Sequence, residues 1–147
     1  AVGQCAQPER VQASADDDAL VRGDAHLLRV ALGNALDNAL KYSEGPVRVA
    51  VRRGDEAHTI EVSDDGPGVQ PAVAESLFSP FVRGAGTQVA GHGLGLALLR
   101  QVAAAHGGSA RFVPRTRGAC LQLSLPPWRA TSRPRAPSPG TSPADGT

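Results

Sequence analysis

Residues 47–64, VRVAVRRGDEAHTIEVSD, alternate apolar and polar side chains twice, and Gly54 with Asp55 punctuates the middle. A period-two pattern on both sides of a turn predicts an antiparallel hairpin with one apolar face, and that face needs a cover. Sequence on either side supplies it. A helix is predicted from just after Gly23, with Asp24 as its N-cap, to about Tyr42. Another is predicted from about Leu94 to His106, ended by Gly107 and Gly108. Weaker signals fill the remainder: RVQASA (10–15) and LVR (20–22) read as short strands around an acidic DDD turn, Pro71 to Phe78 as a short helix, and SARFVPR and CLQLSLP as the last strands. Helices interleaved with strands predict an α/β two-layer sandwich, one mixed sheet packed against about three helices.

A chain of 147 residues fits one domain and can bury a core without staples. Its 15 basic and 14 acidic side chains nearly cancel, so no broad field favours nucleic acid or an anionic membrane surface as partner. The opening AVGQCAQPERV has neither a basic nor an apolar leader region, and no apolar run reaches membrane-spanning length. A soluble, cytoplasmic chain is expected. Cys5 and Cys120 lie far apart without metal-ligand spacing, which suits two reduced, idle thiols. After Pro126 the composition turns to Pro, Ser, Thr and Gly, so the expected organisation is a domain over 1–126 and a disordered tail over 127–147. The tail arginines Arg129, Arg133 and Arg135 receive no role.

The first long helix has two different faces. At about 3.6 residues per turn, Leu28, Leu32, Ala35, Leu36, Ala39 and Leu40 form an apolar stripe expected to face the sheet. Opposite it stand Asn34, Asp37, Asn38, Lys41 and Tyr42. A solvated surface helix is polar there too. Yet amide oxygens suit a hard ion such as Mg²⁺, lysine offers point charge to phosphate, and tyrosine offers a flat apolar surface. That combination fits a nucleotide.

Two glycine-rich stretches extend the pattern. In SDDGPGV (63–69), at a predicted strand end, Asp64 can accept a hydrogen bond from an exocyclic amine such as that of adenine, while Gly66 and Gly68 permit close approach of the backbone. Taken alone, the stretch also fits an acidic turn. In GHGLGLALL (91–99), Gly91, Gly93 and Gly95 run into an apolar helix whose N-terminal amides could converge on phosphate. The dinucleotide fingerprint would need glycine where Leu96 stands, and the P-loop ending is missing. Between them, LFSPFVRG (77–84) offers Phe78 and Phe81 for packing and Arg83 as a phosphate contact or a solvated charge.

Taken in order, LGNALDNALKYS, SDDGPGV, LFSPFVRG and GHGLGLALL resemble the asparagine, first glycine, phenylalanine and second glycine boxes of the ATP-binding catalytic domain of sensor histidine kinases. That family lies within the gyrase, Hsp90, histidine kinase and MutL superfamily, and the resemblance spans roughly residues 10–126. It implies the Bergerat fold, a two-layer α/β sandwich, and ATP with Mg²⁺ as ligands. By the resemblance, Asn38 ligates Mg²⁺, Asn34 is the preceding asparagine of its box, Lys41 faces phosphate and Tyr42 lines the adenine side. Asp64 binds adenine. Gly66 and Gly68 are the first glycine pair, Arg83 the arginine of the phenylalanine box, and Gly91, Gly93 and Gly95, with Leu96 beside them, the hinge of an ATP lid over 84–92.

Position 34 separates relatives. Hydrolytic members and anti-sigma serine kinases typically carry glutamate there, whereas an amide cannot take a proton at neutral pH. Transfer to a protein acceptor is therefore expected, with Asn34, Lys41 and Arg83 as the catalytic set and positioning and charge neutralisation as the means. The resemblance implies two partners, a histidine-bearing dimerisation domain and a response regulator. In the family the acceptor histidine usually precedes Glu or Asp, but here His26, His58, His92 and His106 precede Leu27, Thr59, Gly93 and Gly107. A catalytic fragment of a longer kinase is the expected identity, and a nucleotide-dependent binding module of the anti-sigma type is the alternative.

Overall fold

The computed structural model describes Gly3, residues 5–80 and residues 95–129. After a 3₁₀ turn at Pro8–Arg10 the elements are β1 (Val11–Ala15), α1 (Ala25–Tyr42), β2 (Val47–Arg52), β3 (His58–Ser63), α2 (Pro71–Ala74), a second 3₁₀ turn (Ser76–Phe78), α3 (Gly95–Ala105), β4 (Ser109–Phe112) and β5 (Cys120–Leu125). The five strands form one sheet in the order β1-β2-β3-β5-β4, parallel between β1 and β2 and antiparallel elsewhere.

Register explains the two layers. Val49, Val62, Leu121 and Phe112 share one row, and Val51, Ile60, Leu123 and Ala110 the next row on the same face. This face joins the core beneath α1 and α3, where Ala31, Ala35, Leu36, Ala39, Leu40, Leu99, Val102 and Ala103 are buried. The alternating row holds Ala50, Glu61, Gln122 and Arg111. There Gln122 donates to Glu61 (2.9 Å) and Arg111 donates to Gln122 (3.1 Å), a polar ladder suited to solvent. Phe78 is buried beside Phe112, centroids 5.5 Å apart, with the Arg100 guanidinium 3.9 Å from its ring centre.

The helix termini follow local chemistry. The Asp24 carboxylate accepts from the amides of His26 (2.8 Å) and Leu27 (3.1 Å), which satisfies two of the orphan donors of α1. These bonds hold its carboxyl below the usual aspartate range. Running back along α1, α3 places His106 near that cap: Nε2 accepts from the Asp24 amide (3.0 Å), so the ring proton sits on Nδ1, which donates to the Val102 carbonyl (2.7 Å). Burial raises the Cys120 thiol above its ordinary range, in keeping with an idle core residue, and neither Cys5 nor Cys120 forms a disulfide.

Three expectations need correction. LVR (20–22) is not a strand: Asp18 turns with φ 59°, the Leu20 amide returns to Asp18 (2.9 Å), and the Leu20 carbonyl takes the Trp128 amide (2.7 Å). With no hairpin available there, β1 pairs in parallel with β2. The apolar stripe of α1 omitted Ala31, which is wholly buried, while Leu28 and Leu32 are only partly covered. Finally, Trp128 and Arg129, assigned by composition to the tail, are tied to the domain, Arg129 through a bond to the Asp55 carbonyl (2.6 Å). The rest of the expected tail, 130–147, lies outside the described residues.

Candidate functional site

The last two turns of α1 present Asn34, Asn38 and Tyr42, each half-buried, together with exposed Asp37 and Lys41. The opposite side of this helix is apolar and fixed on the core, which leaves the polar side no choice of direction. Among the described residues, no side-chain hydrogen bond to Asn34, Asn38 or Lys41 occurs. Position 95 touches this row, since a Cβ added to Gly95 would sit 3.4 Å from the Asn34 Cβ and 3.8 Å from its Oδ1. The first turn of α3 thus reaches the asparagine face. Leu96, the next residue, is partly buried and packs against the core.

Asp64 directly follows β3 and is only 5% exposed. Its amide donates to the Ala119 carbonyl (3.0 Å), and its Oδ1 accepts from the Gly66 amide (2.8 Å), the one hydrogen bond that the carboxylate receives from described residues. A buried carboxylate with remaining lone pairs is suited to an amine donor. Close approach at Gly66 joins the two halves of the site: a Cβ there would lie 2.7 Å from the Tyr42 carbonyl and 3.1 Å from the Ser43 Cβ. Any side chain would push α1 and the Asp64 loop apart. Ser43 itself is buried, its hydroxyl donating to the Ala39 carbonyl (2.9 Å) and closing the helix.

The loop has a brace that the sequence reading passed over. Gly118, in the turn between β4 and β5, is buried with φ 72°, and a Cβ there would overlap the Asp64 carbonyl. Gly68, at φ 82°, lies in turn against the Gly118 carbonyl. The available signal was a lone glycine in RTRGAC between two strands, which looks like any hairpin turn until the partner loop is known. Asp65 faces outward and pairs with Arg48 at 3.1 Å.

The structure therefore brings together Asn34, Asn38, Lys41, Tyr42, Asp64, Gly66, Gly68 and Gly95 from three separated stretches. Arg83, Gly91, Gly93, His92 and the expected lid over 84–92 lie outside the described residues. No group of three or more His, Cys, Asp or Glu side chains able to hold a metal occurs among the described residues, so a bound cation would lean on neutral oxygens and on its own ligand. A separate apolar groove of about 310 Å³ runs between α1 and the β1 side of the sheet, floored by Ala13, Val49, Val51 and Ile60, and none of the residues gathered above lines it.

Residues 23–129 match the family described as histidine kinase-, DNA gyrase B- and HSP90-like ATPase. Among relatives, the chain is 42% identical over 98 residues to the sensor histidine kinase GtrS of Pseudomonas aeruginosa, covering 67% of this chain and 20% of that one. It is 37% identical over 128 residues to the histidine-protein kinase/phosphatase MprB of Mycobacterium ulcerans, covering 80% and 25% respectively. The chain thus spans a quarter or less of these relatives. The solved structure of a mycobacterial sensor histidine kinase MprB superposes with a TM-score of 0.70 at 31% identity, covering 81% of this chain and 85% of that chain. Full-length ShkA in complex with AMPPNP superposes at 0.68 with 30% identity, covering 83% of this chain and 27% of that chain. Fold, box order and these likenesses agree: the chain belongs to the histidine kinase-, DNA gyrase B- and HSP90-like ATPases, as an ATP-binding catalytic domain of the sensor histidine kinase type.

Proposed function

We propose that this domain binds ATP with Mg²⁺ and transfers the γ-phosphoryl group to a histidine on a separate dimerisation domain, for relay to a response regulator. The observation that carries the reading is the junction at Gly66, which sets the buried Asp64 carboxylate beside the end of the Asn34–Tyr42 face. In this reading Asp64 accepts the adenine amine, Tyr42 covers the base, and Lys41 with Arg83 neutralises phosphate charge. Gly91, Gly93 and Gly95, with Leu96, form the phosphate-side hinge. Asn38 suits a metal ligand, because its half-buried amide carries a neutral oxygen and has no side-chain partner among the described residues. Held through the Asn38 oxygen, Mg²⁺ would supply positive charge to offset that of the phosphates. Asn34 orients rather than deprotonates, since an amide is no base near pH 7. The anti-sigma type of binding module is not favoured, given Asn34 and the sensor kinases among the relatives. ATP and a response regulator imply a cytoplasmic location, and no helix among the described residues is long and apolar enough to cross a membrane.

The described histidines support an acceptor in trans. His58 is buried with Nδ1 accepting from the Gly54 amide (3.2 Å), and both ring nitrogens of His106 are engaged. His26 stands eight residues before Asn34, about 12 Å along the helix at about 1.5 Å per residue, too far for an in-line transfer. Incubated with γ-labelled ATP, the chain alone is expected to stay unlabelled, and adding a histidine-bearing dimerisation hairpin from its parent kinase is expected to put acid-labile label on the hairpin. Robust acid-labile label on this chain by itself would overturn the trans reading and point to His92.

A further inference from the structure

α1 ends without the glycine that commonly closes a helix. Its C-cap, Ser43, is extended at φ −134° and ψ 154°, which leaves the last carbonyls to find other donors. Arg10 supplies them from the far end of the sequence. Its Nη2 donates to the carbonyls of Ser43 (2.6 Å) and Gly45 (2.8 Å), its Nε to Gly45 (3.2 Å), and its Nη1 to Leu40 (3.4 Å) and to the Gln7 side chain (2.7 Å). A planar fork can hold several carbonyls at once in a way that an ammonium group cannot, and its charge also suits a helix C-terminus.

The turn so held carries the nucleotide face. Lys41 and Tyr42 lie between the clamped Leu40 and Ser43, and the Tyr42 carbonyl and Ser43 Cβ are the atoms that press on Gly66 beside Asp64. Arg10 meanwhile closes the 3₁₀ turn by which the chain enters β1, with Gln7 as a further tie. We infer that Arg10 is a positioning residue for nucleotide binding, coupling the entry segment around Gln7–Arg10 to the Lys41–Ser43 turn, so that displacement of this segment changes nucleotide affinity. This inference rests on the proposed nucleotide site.

The comparison that separates positioning from helix capping is Arg10→Ala against Asp24→Ala, which removes a cap from the opposite end of the same helix. Both are measured at a temperature where circular dichroism shows them folded. Arg10→Ala is expected to weaken Mg²⁺-AMPPNP binding at least fivefold in calorimetric titration, and to shift the amide resonances of Lys41, Tyr42 and Gly66 without nucleotide. Asp24→Ala is expected to leave both unchanged within twofold. Low millimolar guanidinium should recover part of the affinity of Arg10→Ala, and Arg10→Lys should fall between it and the unaltered chain. Unchanged affinity in Arg10→Ala, or an equal loss in Asp24→Ala, would overturn the inference. Failure of the unaltered chain to bind AMPPNP would overturn the nucleotide reading, and this inference with it.

Discussion

The proposed site gives Asp64 and Asn38 different work, and single substitutions test it. Asp64 is buried with one donor among the described residues, which leaves lone pairs that suit the exocyclic amine of the proposed base. Asp64→Asn is expected to cost a few kcal/mol of ATP binding, the scale of a charge-assisted hydrogen bond lost in a buried setting. The preference for ATP over GTP should vanish with it. Calorimetric titration of both nucleotides checks this, and unchanged ATP affinity would remove Asp64 from the base site. Asn38→Ala is expected to weaken ATP binding much more with Mg²⁺ than with EDTA, because only the metal-bound form uses its oxygen. Equal losses in the two buffers would reduce Asn38 to a packing residue.

At the scale of elements, contacts between loops and helix ends matter more than any strand. The β4–β5 turn supports the Asp64 loop through Gly118, where positive φ and the neighbouring Asp64 carbonyl both exclude a side chain. Gly118→Ala is expected to destabilise the fold by more than about 2 kcal/mol in urea titration, since the strain cannot relax without moving Asp64. A variant as stable as the parent, with ATP binding intact, would show that the two loops are not coupled. The N-cap of α1 adds a pH dependence. Asp24 is held ionised by the Leu27 and His26 amides, so its folded pKa lies below that of an ordinary aspartate. A depressed carboxylate stabilises the fold above its unfolded pKa, and that contribution disappears as pH falls through the folded value. Asp24→Ala should therefore lower the melting temperature at pH 7, and the gap to the parent should narrow as pH falls below the ordinary aspartate range. A gap that persists there would show that capping is not the source of the effect.

For the whole molecule, the arrangement is a two-layer sandwich whose polar outer sheet face and helix-covered inner face follow from strand register. The proposed nucleotide face lies on the side of α1 away from the core, beside the start of α3 and the loop after β3. The tie from Arg10 to the end of α1, and those from Trp128 and Arg129 to Leu20 and Asp55, fasten both ends of the described chain onto the domain.

Much of this was legible beforehand because it is written in local periodicity. The β2–β3 hairpin, the span and N-cap of α1, and the glycines that end α3 each depend on residues close together in sequence, and all were found where their patterns put them. The polar row from Asn34 to Tyr42 was equally readable, since a helix fixed on its apolar side has one way to aim the other. What local pattern could not supply was pairing across distance. The parallel partner of β1, the burial of Ala31, the Gly118 brace under Asp64, and the Arg10 clamp each join residues more than a few turns apart, and nothing in a short window distinguishes them from an edge strand, a neutral alanine, a turn glycine or a solvated arginine. The residues proposed to bind a nucleotide were readable in the sequence; that the end of α1 meets the Asp64 loop at Gly66, and that Gly95 meets Asn34, was decided by close packing, which only the folded chain can impose.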